Sequence, residues 1–339
     1  MFDIEITPYD KKIYDEYIED FLPGFIIDMH VHIWEKSFNK PSEAKGCVTW
    51  TNRVASECTL EDLLYIYKNL FPGKIVKPVL MGNPVADLDK TNAYTADCSI
   101  KSGLSAIFCV SPATPHEEIY RTLTASGFCG LKPYLSNAPE HIPPDEIKIF
   151  DFLTHEHLKI ADELGKAVIL HIARPGRLKD PVNIEQMMEI DERYPNAKVI
   201  IAHIGRAYIE DDIGNAFDTL KKSKNLLFDF SANTLDRAML ECIGAVGPKR
   251  VIFGSDMPIT TMRMYRTAEG GIYKNVVPRG LYGDIAGDKN MKETDEPDVT
   301  FFIYEQIMAL RRAAETLKLT KSDVCDIFYG NAAGLFNIK

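Results

Sequence analysis

The stretch FIIDMHVHIW, residues 25–34, decides how the rest of the chain is read. An apolar run leads through an acid into two histidines one residue apart. In a β-strand, residues i and i+2 point to the same side. His30 and His32 therefore project together from one face, with Val31 and Ile33 turned to the other. A strand end that offers two imidazoles side by side is how a chain presents two ligands to one metal ion. Such a pair also arises by chance, so the other strands have to decide.

Seven further apolar runs follow it: KIVKPVLM (74–81), LSAIFCV (104–110), CGLKPYL (129–135), KAVILHIA (166–173), AKVIIAHI (197–204), NLLFDFSA (225–232) and RVIFGSD (250–256). Most are nearly continuous in apolar residues, as parallel strands buried on both faces are. Helical periodicity fills most of the gaps. TLEDLLYIYKNLF opens with Thr59 and Asp62 in capping-box positions, PHEEIYRTLTASG closes on a glycine and NIEQMMEIDERYP on a proline. Strand then helix, eight times over, predicts a (β/α)8 TIM-type barrel as a single domain over residues 1–339. A doubly wound open sheet is the competing architecture, but no GxGxxG turn follows the first strand. Residues 33–58 and 257–299 are too long for simple connections. Both leave strand C-terminal ends, the face where such barrels carry their sites, so they read as active-site or interface excursions.

Composition narrows the function. The formal net charge of −10 disfavours nucleic acid or an anionic membrane as the partner. The seven cysteines are odd in number and lack CxxC pairs, which reads as reduced thiols inside a cell. The N-terminus lacks the basic-then-apolar order of a signal peptide, and no run of about 18 apolar residues exists to span a membrane. A soluble, cytoplasmic protein is expected.

The expected strand ends carry chemistry. The first ends in His30 and His32, the fifth in His171, the sixth in His203 and the eighth in Asp256. Imidazole and carboxylate suit zinc or a similar divalent ion. Any one of these histidines alone reads more readily as a core or rim residue bonded to backbone than as a ligand. Their agreement across one rim favours a shared site.

Together DMHVH (28–32), GLKPY (130–134), ILHIA (169–173), IIAHIG (200–205), FGSDMP (253–258) and the closing IFYGNAAGLF (327–336) resemble the amidohydrolase superfamily. The resemblance is closest to its amidohydrolase 2 branch, which includes the aminocarboxymuconate-semialdehyde decarboxylase-like enzymes, and it covers nearly the whole chain. It implies that His30, His32 and His171 hold a divalent metal with Asp256 as a further ligand. Asp256 would also accept a proton from water, and His203 would be a second-metal ligand or a nearby acid/base. One zinc is the expected cofactor, with manganese the alternative. A second metal, bridged by a carboxylated Lys132, is the less favoured arrangement. Lys132 that binds substrate or packs beneath the site is the plainer one.

Arg174 and Arg206 each stand three residues after a rim histidine, and Arg53 lies near Trp50 in the first excursion. Arginines converging on a metal site in an acidic protein suggest a small carboxylate-bearing substrate. Arg206 precedes Glu210, Asp211 and Asp212 and could merely neutralise them, so Arg174 is the better candidate. Trp34, Trp50 and Tyr134 are candidate pocket walls. Asp229 and Ser231 end the seventh strand without an evident role, and His155 and His157 fall in a helical stretch where i and i+2 share no face.

The expected activity is metal-dependent hydrolysis of an amide, lactone or ester bond through metal-activated water. Non-oxidative decarboxylation of a small aromatic or unsaturated keto acid is the alternative. A barrel that binds without chemistry is the third reading, disfavoured because every rim position keeps its ligand type. A homo-oligomer is expected by fold-level analogy alone.

Overall fold

The eight apolar runs become β1 Phe25–His32, β2 Ile75–Met81, β3 Ala106–Val110, β4 Phe128–Pro133, β5 Ala167–Leu170, β6 Lys198–Ile201, β7 Leu227–Asp229 and β8 Val251–Ile252. This computed structural model describes residues 4–40, 50–125 and 127–338. The strands pair in parallel in chain order. The ring closes between β1 and the segment through and beyond β8: Met29 N donates to the Phe253 carbonyl at 3.1 Å, and Asp256 N to the His30 carbonyl at 2.7 Å. The architecture is the expected (β/α)8 barrel.

Burial explains the unbroken apolar runs. One set of strand side chains packs outward on the helices. The other set, among them Ile27, Val79, Ile107, Ile169, Ile200 and Ile252, fills the barrel interior. Ala332 and Ile338 from the closing segment join that interior cluster. The filled interior is a packed core, and the strand C-terminal rim is left to carry the site.

The helices obey their local signals. Leu60–Leu70 starts on the expected capping box, with Asp62 N donating to Thr59 Oγ1 and Thr59 N to Asp62 Oδ2, both at 3.1 Å. Thr154, by contrast, caps the helix His155–Leu164, in which the two histidines do part company. His157 is buried, whereas His155 bonds Tyr194 at 2.9 Å and stacks 4.3 Å from Phe150.

The two long segments differ. Residues 33–58 keep short 3-10 turns at Lys36–Phe38 and Trp50–Arg53, with 41–49 outside the described residues. Residues 257–299 fold into a small sheet of β9 Tyr265–Glu269, β10 Ile272–Pro278 and β11 Met291–Thr294. Gly270 and Gly271, with φ of 59° and 76°, make the two-residue turn between β9 and β10. Positive φ at both central positions is what a tight hairpin requires, and glycine adopts it without steric cost. The two excursions touch: Trp50 Nε1 donates to the Tyr273 hydroxyl at 3.2 Å, and Arg53 Nη1 to the Tyr282 carbonyl at 3.1 Å. No helix among the described residues is long and apolar enough to cross a membrane. The described cysteines are all free thiols, and Cys47 lies outside the described residues.

A buried ion pair ties the N-terminal segment to the second excursion. Arg263 donates to both oxygens of Asp10, at 3.0 and 2.7 Å, while its guanidinium lies 4.3 Å from the Phe301 ring. Burial alone would raise the Asp10 carboxyl, but hydrogen bonds from Arg263, Thr7 and Thr300 outweigh it and hold it below the usual range. Arg263→Met strands that carboxylate in the interior and is expected to cost about 3–5 kcal/mol in urea unfolding at neutral pH. A carboxyl lowered by folding stabilises above its unfolded pKa and loses that contribution as pH falls. The gap between wild type and variant should therefore narrow below about pH 4.

Candidate active site

His30 and His32 do leave β1 on the same side. Their ring centroids are 5.4 Å apart, and their Nε2 atoms lie 3.6 and 3.4 Å from Asp256 Oδ1. Gly254 makes room for this: a Cβ there would meet the His30 Cβ at 2.6 Å. Asp28, the acid before the pair, pins β1 to the end of β8. Its Oδ1 accepts from Ser255 N at 2.9 Å and its Oδ2 from the Tyr67 hydroxyl at 2.8 Å.

Three histidines have their outer nitrogen fixed. His30 Nδ1 donates to Asp229 Oδ2 at 2.9 Å, His32 Nδ1 to the Gly82 carbonyl at 2.9 Å, and His203 Nδ1 to the Ser231 carbonyl at 2.8 Å. A carbonyl can only accept, and Asp229 is held well below the usual carboxylate range. Burial opposes that shift, but His30, His203 and Ser231 outweigh it. His30 and His203 therefore carry their proton on Nδ1 and present the Nε2 lone pair inward, a tautomer suited to metal binding. Asp229 also accepts His203 N at 2.8 Å on its other oxygen, so one carboxylate positions two rings.

The backbone at the rim is bent to suit. His203 and Asp256 adopt left-handed φ of 57° and 63°, with Ile204, Arg206 and Ala232 also positive. Non-glycine residues in that region are held by surrounding bonds and cluster at functional sites. At His203 these bonds are the amide to Asp229 and the Asn233 side chain, which donates to the His203 carbonyl at 3.2 Å.

A divalent ion fits these residues. One ligand atom from each of His30, His203 and Asp256 lies within 4.8 Å of the other two. His171 adds a buried Nδ1 with no hydrogen-bond partner, its ring 5.2 Å from that of His203. His203, expected as an acid/base or second ligand, thus belongs to the tightest group, while His32 and His171 flank it.

Electrostatics set the protonation states. Burial, then the Lys132 charge, pushes His30 down to about 4, and burial lowers His171 and His203 as well, so these three rings are neutral at pH 7. Burial opposes ionisation of Asp256, but the His32 hydrogen bond heads the contacts that bring it down to about 2. Lys132 is buried, with Nζ 3.2 Å from His30 Nε2, and desolvation brings it down to about 8.

These groups floor a cavity of about 340 Å³ roofed by both excursions. Trp34, Trp50, Tyr134, Tyr208 and Tyr273 give it aromatic walls. Asp256 is the one acid that lines it among the described residues, facing the cations Lys40, Lys132, Arg206 and Arg266. The preference for Arg174 over Arg206 is reversed here. Arg174 is not among the lining residues: its Nε lies 3.5 Å from Asp180 and its Nη1 donates to the Glu146 carbonyl at 3.4 Å. Arg206 lines the cavity, and Lys179 and Arg177 take Asp211 and Asp212, two of the three acids it was expected to neutralise. Arg53 is spent on Tyr282 and does not line the cavity, whereas Trp50 does. Asp229, Arg266, Tyr208 and Tyr273 were not foreseen. The RTAEGGIYK hairpin pattern was the available signal for Arg266 and Tyr273.

The family model described as amidohydrolase matches residues 27–274. Among solved structures, an amidohydrolase from Burkholderia multivorans with bound zinc aligns at TM-score 0.60 and 12% identity, over 93% of this chain and 100% of its own. A probable 2-pyrone-4,6-dicarboxylic acid hydrolase from Acinetobacter baumannii aligns at TM-score 0.56 and 17% identity, over 92% and 99%. The 5-carboxyvanillate decarboxylase of Sphingomonas paucimobilis aligns at TM-score 0.56 and 13% identity, over 94% and 100%. At such identities the likeness speaks for the fold. No curated protein matches the sequence.

If Asp229 orients His30 and His203 for an ion, Asp229→Asn should weaken divalent-metal affinity about 10- to 100-fold without removing a ligand. Competition against a fluorescent chelator measures this. An unchanged affinity would leave Asp229 with a packing role only.

Proposed function

The chain belongs to the amidohydrolase family, and on that premise we propose that it is a metal-dependent hydrolase. Its substrate would be small and carboxylate-bearing, cleaved at an amide, lactone or ester bond. The observation that carries this reading is Asp256: an ionised carboxylate beside the neutral imidazole of His30 and, among the described residues, the one acid facing the cations of an aromatic cavity. A carboxylate kept ionised at neutral pH is a proton acceptor, which the addition of water requires.

His30, His203 and Asp256 would hold the ion, with His32 and His171 beside them. When bound, a divalent ion such as zinc supplies Lewis acidity that polarises a carbonyl and makes water easier to deprotonate. The chain's own residues do the rest. The cationic wall draws the substrate's carboxylate in and orients the scissile carbonyl over the histidines. As water adds to the carbonyl carbon, Asp256 takes its proton. The same proton then passes to the leaving nitrogen or oxygen as the bond to carbon breaks. The aromatic roof, clasped by the Trp50–Tyr273 bond, limits competing water.

Decarboxylation is the second reading, and Lys132 is the observation that favours it. No carboxylate forms a salt bridge to this buried ammonium among the described residues, so it could carry a carboxylate that departs as carbon dioxide. Asp256, ionised at rest, would first take the proton of a substrate hydroxyl and then return it to the carbon as that carbon's bond to the departing carbon dioxide breaks.

Turnover of carboxylated lactones, esters and amides in ¹⁸O-labelled water separates the two. Hydrolysis predicts label in the new carboxylate and a loss of about 10²- to 10⁴-fold in kcat for Asp256→Asn. Release of carbon dioxide without label in the organic product would overturn hydrolysis in favour of the second reading.

A further inference from the structure

Arg266 is the feature of the cavity that the reading above leaves without a role. It comes from β9, on the sheet inserted after β8, and reaches the site that the barrel builds. Its guanidinium carbon lies 4.5 Å from the Tyr208 ring centroid, 4.8 Å from that of Tyr273 and 4.8 Å from that of Phe302. Nε donates to Asn275 Oδ1 at 3.0 Å and Nη1 to the Ala232 carbonyl at 2.9 Å, both neutral acceptors. Among the described residues no carboxylate pairs with it and Nη2 carries no hydrogen bond. Arg263, Arg177 and Arg279, by contrast, are each paired with an acid. The rings attract the guanidinium, but its desolvated charge has no anion among the described residues, and a bound carboxylate would supply one.

Position supports the same role. The Tyr208 ring is 6.4 Å from that of His203 and 4.5 Å from the Arg266 guanidinium, so the cation stands one ring away from the ligand cluster. Rigid stacking and two fixed hydrogen bonds leave the remaining N–H groups pre-aimed, which lowers the ordering cost of binding.

We infer that Arg266 is a specificity-determining residue whose guanidinium, fixed on Tyr208 and Tyr273, binds the substrate's carboxylate, so that the inserted sheet selects the substrate. This rests on the carboxylate-bearing substrate proposed above and assigns that recognition to Arg266 instead of Arg206, which is anchored separately on the Ala173 carbonyl at 2.8 Å.

The test compares benzoate with its uncharged counterpart benzamide by calorimetry on the protein as purified, with a thermal melt of each variant as the folding control. Wild type should prefer benzoate. Arg266→Ala should erase that preference, a loss of about 10- to 100-fold for a charged hydrogen bond. Added guanidinium ion should restore it in Arg266→Ala, which a residue serving only to brace the sheet would not show. Arg266→Lys, retaining charge without the fork, should fall between. If Arg266→Ala keeps the preference and Arg206→Met loses it, the inference is overturned while the carboxylate reading stands. If wild type binds both probes equally, the two fail together.

Discussion

The Asp229 carboxylate is the interaction on which the site depends. One oxygen takes the Nδ1 proton of His30 and the other takes the backbone amide of His203. The same group thus sets the tautomer of a β1 ring and the unusual backbone of the residue after β6. Strands far apart in sequence are brought to one geometry by a single anion, itself kept ionised by the groups it orients. Remove that charge and two rings lose their direction while every ligand remains present.

Around that centre the barrel and its insertions divide the labour. Strand ends supply the imidazoles and the acid, positioned by rigid β-structure. The excursions supply walls and most of the roof, and they hold one another through Trp50 and Tyr273. The charge distribution follows the same division: Asp256, the one acid lining the cavity among the described residues, sits at the floor, and Arg206 and Arg266 stand in walls of different origin. A cavity with more cations than anions, inside a chain of net charge −10, is a local inversion that a carboxylate-bearing molecule would relieve.

Much of this was legible in the sequence, for physical reasons that can be named. Period-two geometry put His30 and His32 on one face before any coordinates, and runs of buried-strand composition located all eight strands. What was not legible depended on through-space partners. Arg174 and Arg206 have the same spacing from a histidine, and only the fold shows that Asp180 lies against one while Arg177 and Lys179 take two of the acids near the other. Asp229 looked idle because its partners lie on other strands. The inserted sheet was readable in part: GlyGly between YRTAE and IYKNVVP is a hairpin signal, but nothing local says that Arg266 turns back into the cavity.

The most direct measurement is elemental analysis of metal per chain, on protein purified with bicarbonate and without chelator, in wild type and Lys132→Met. Histidines preset around Asp256 predict one equivalent of a divalent ion in both proteins. Two equivalents that fall when Lys132 is replaced would show a lysine-bridged pair instead. No retained metal in wild type, even after incubation with zinc or manganese, would contradict the metal site itself.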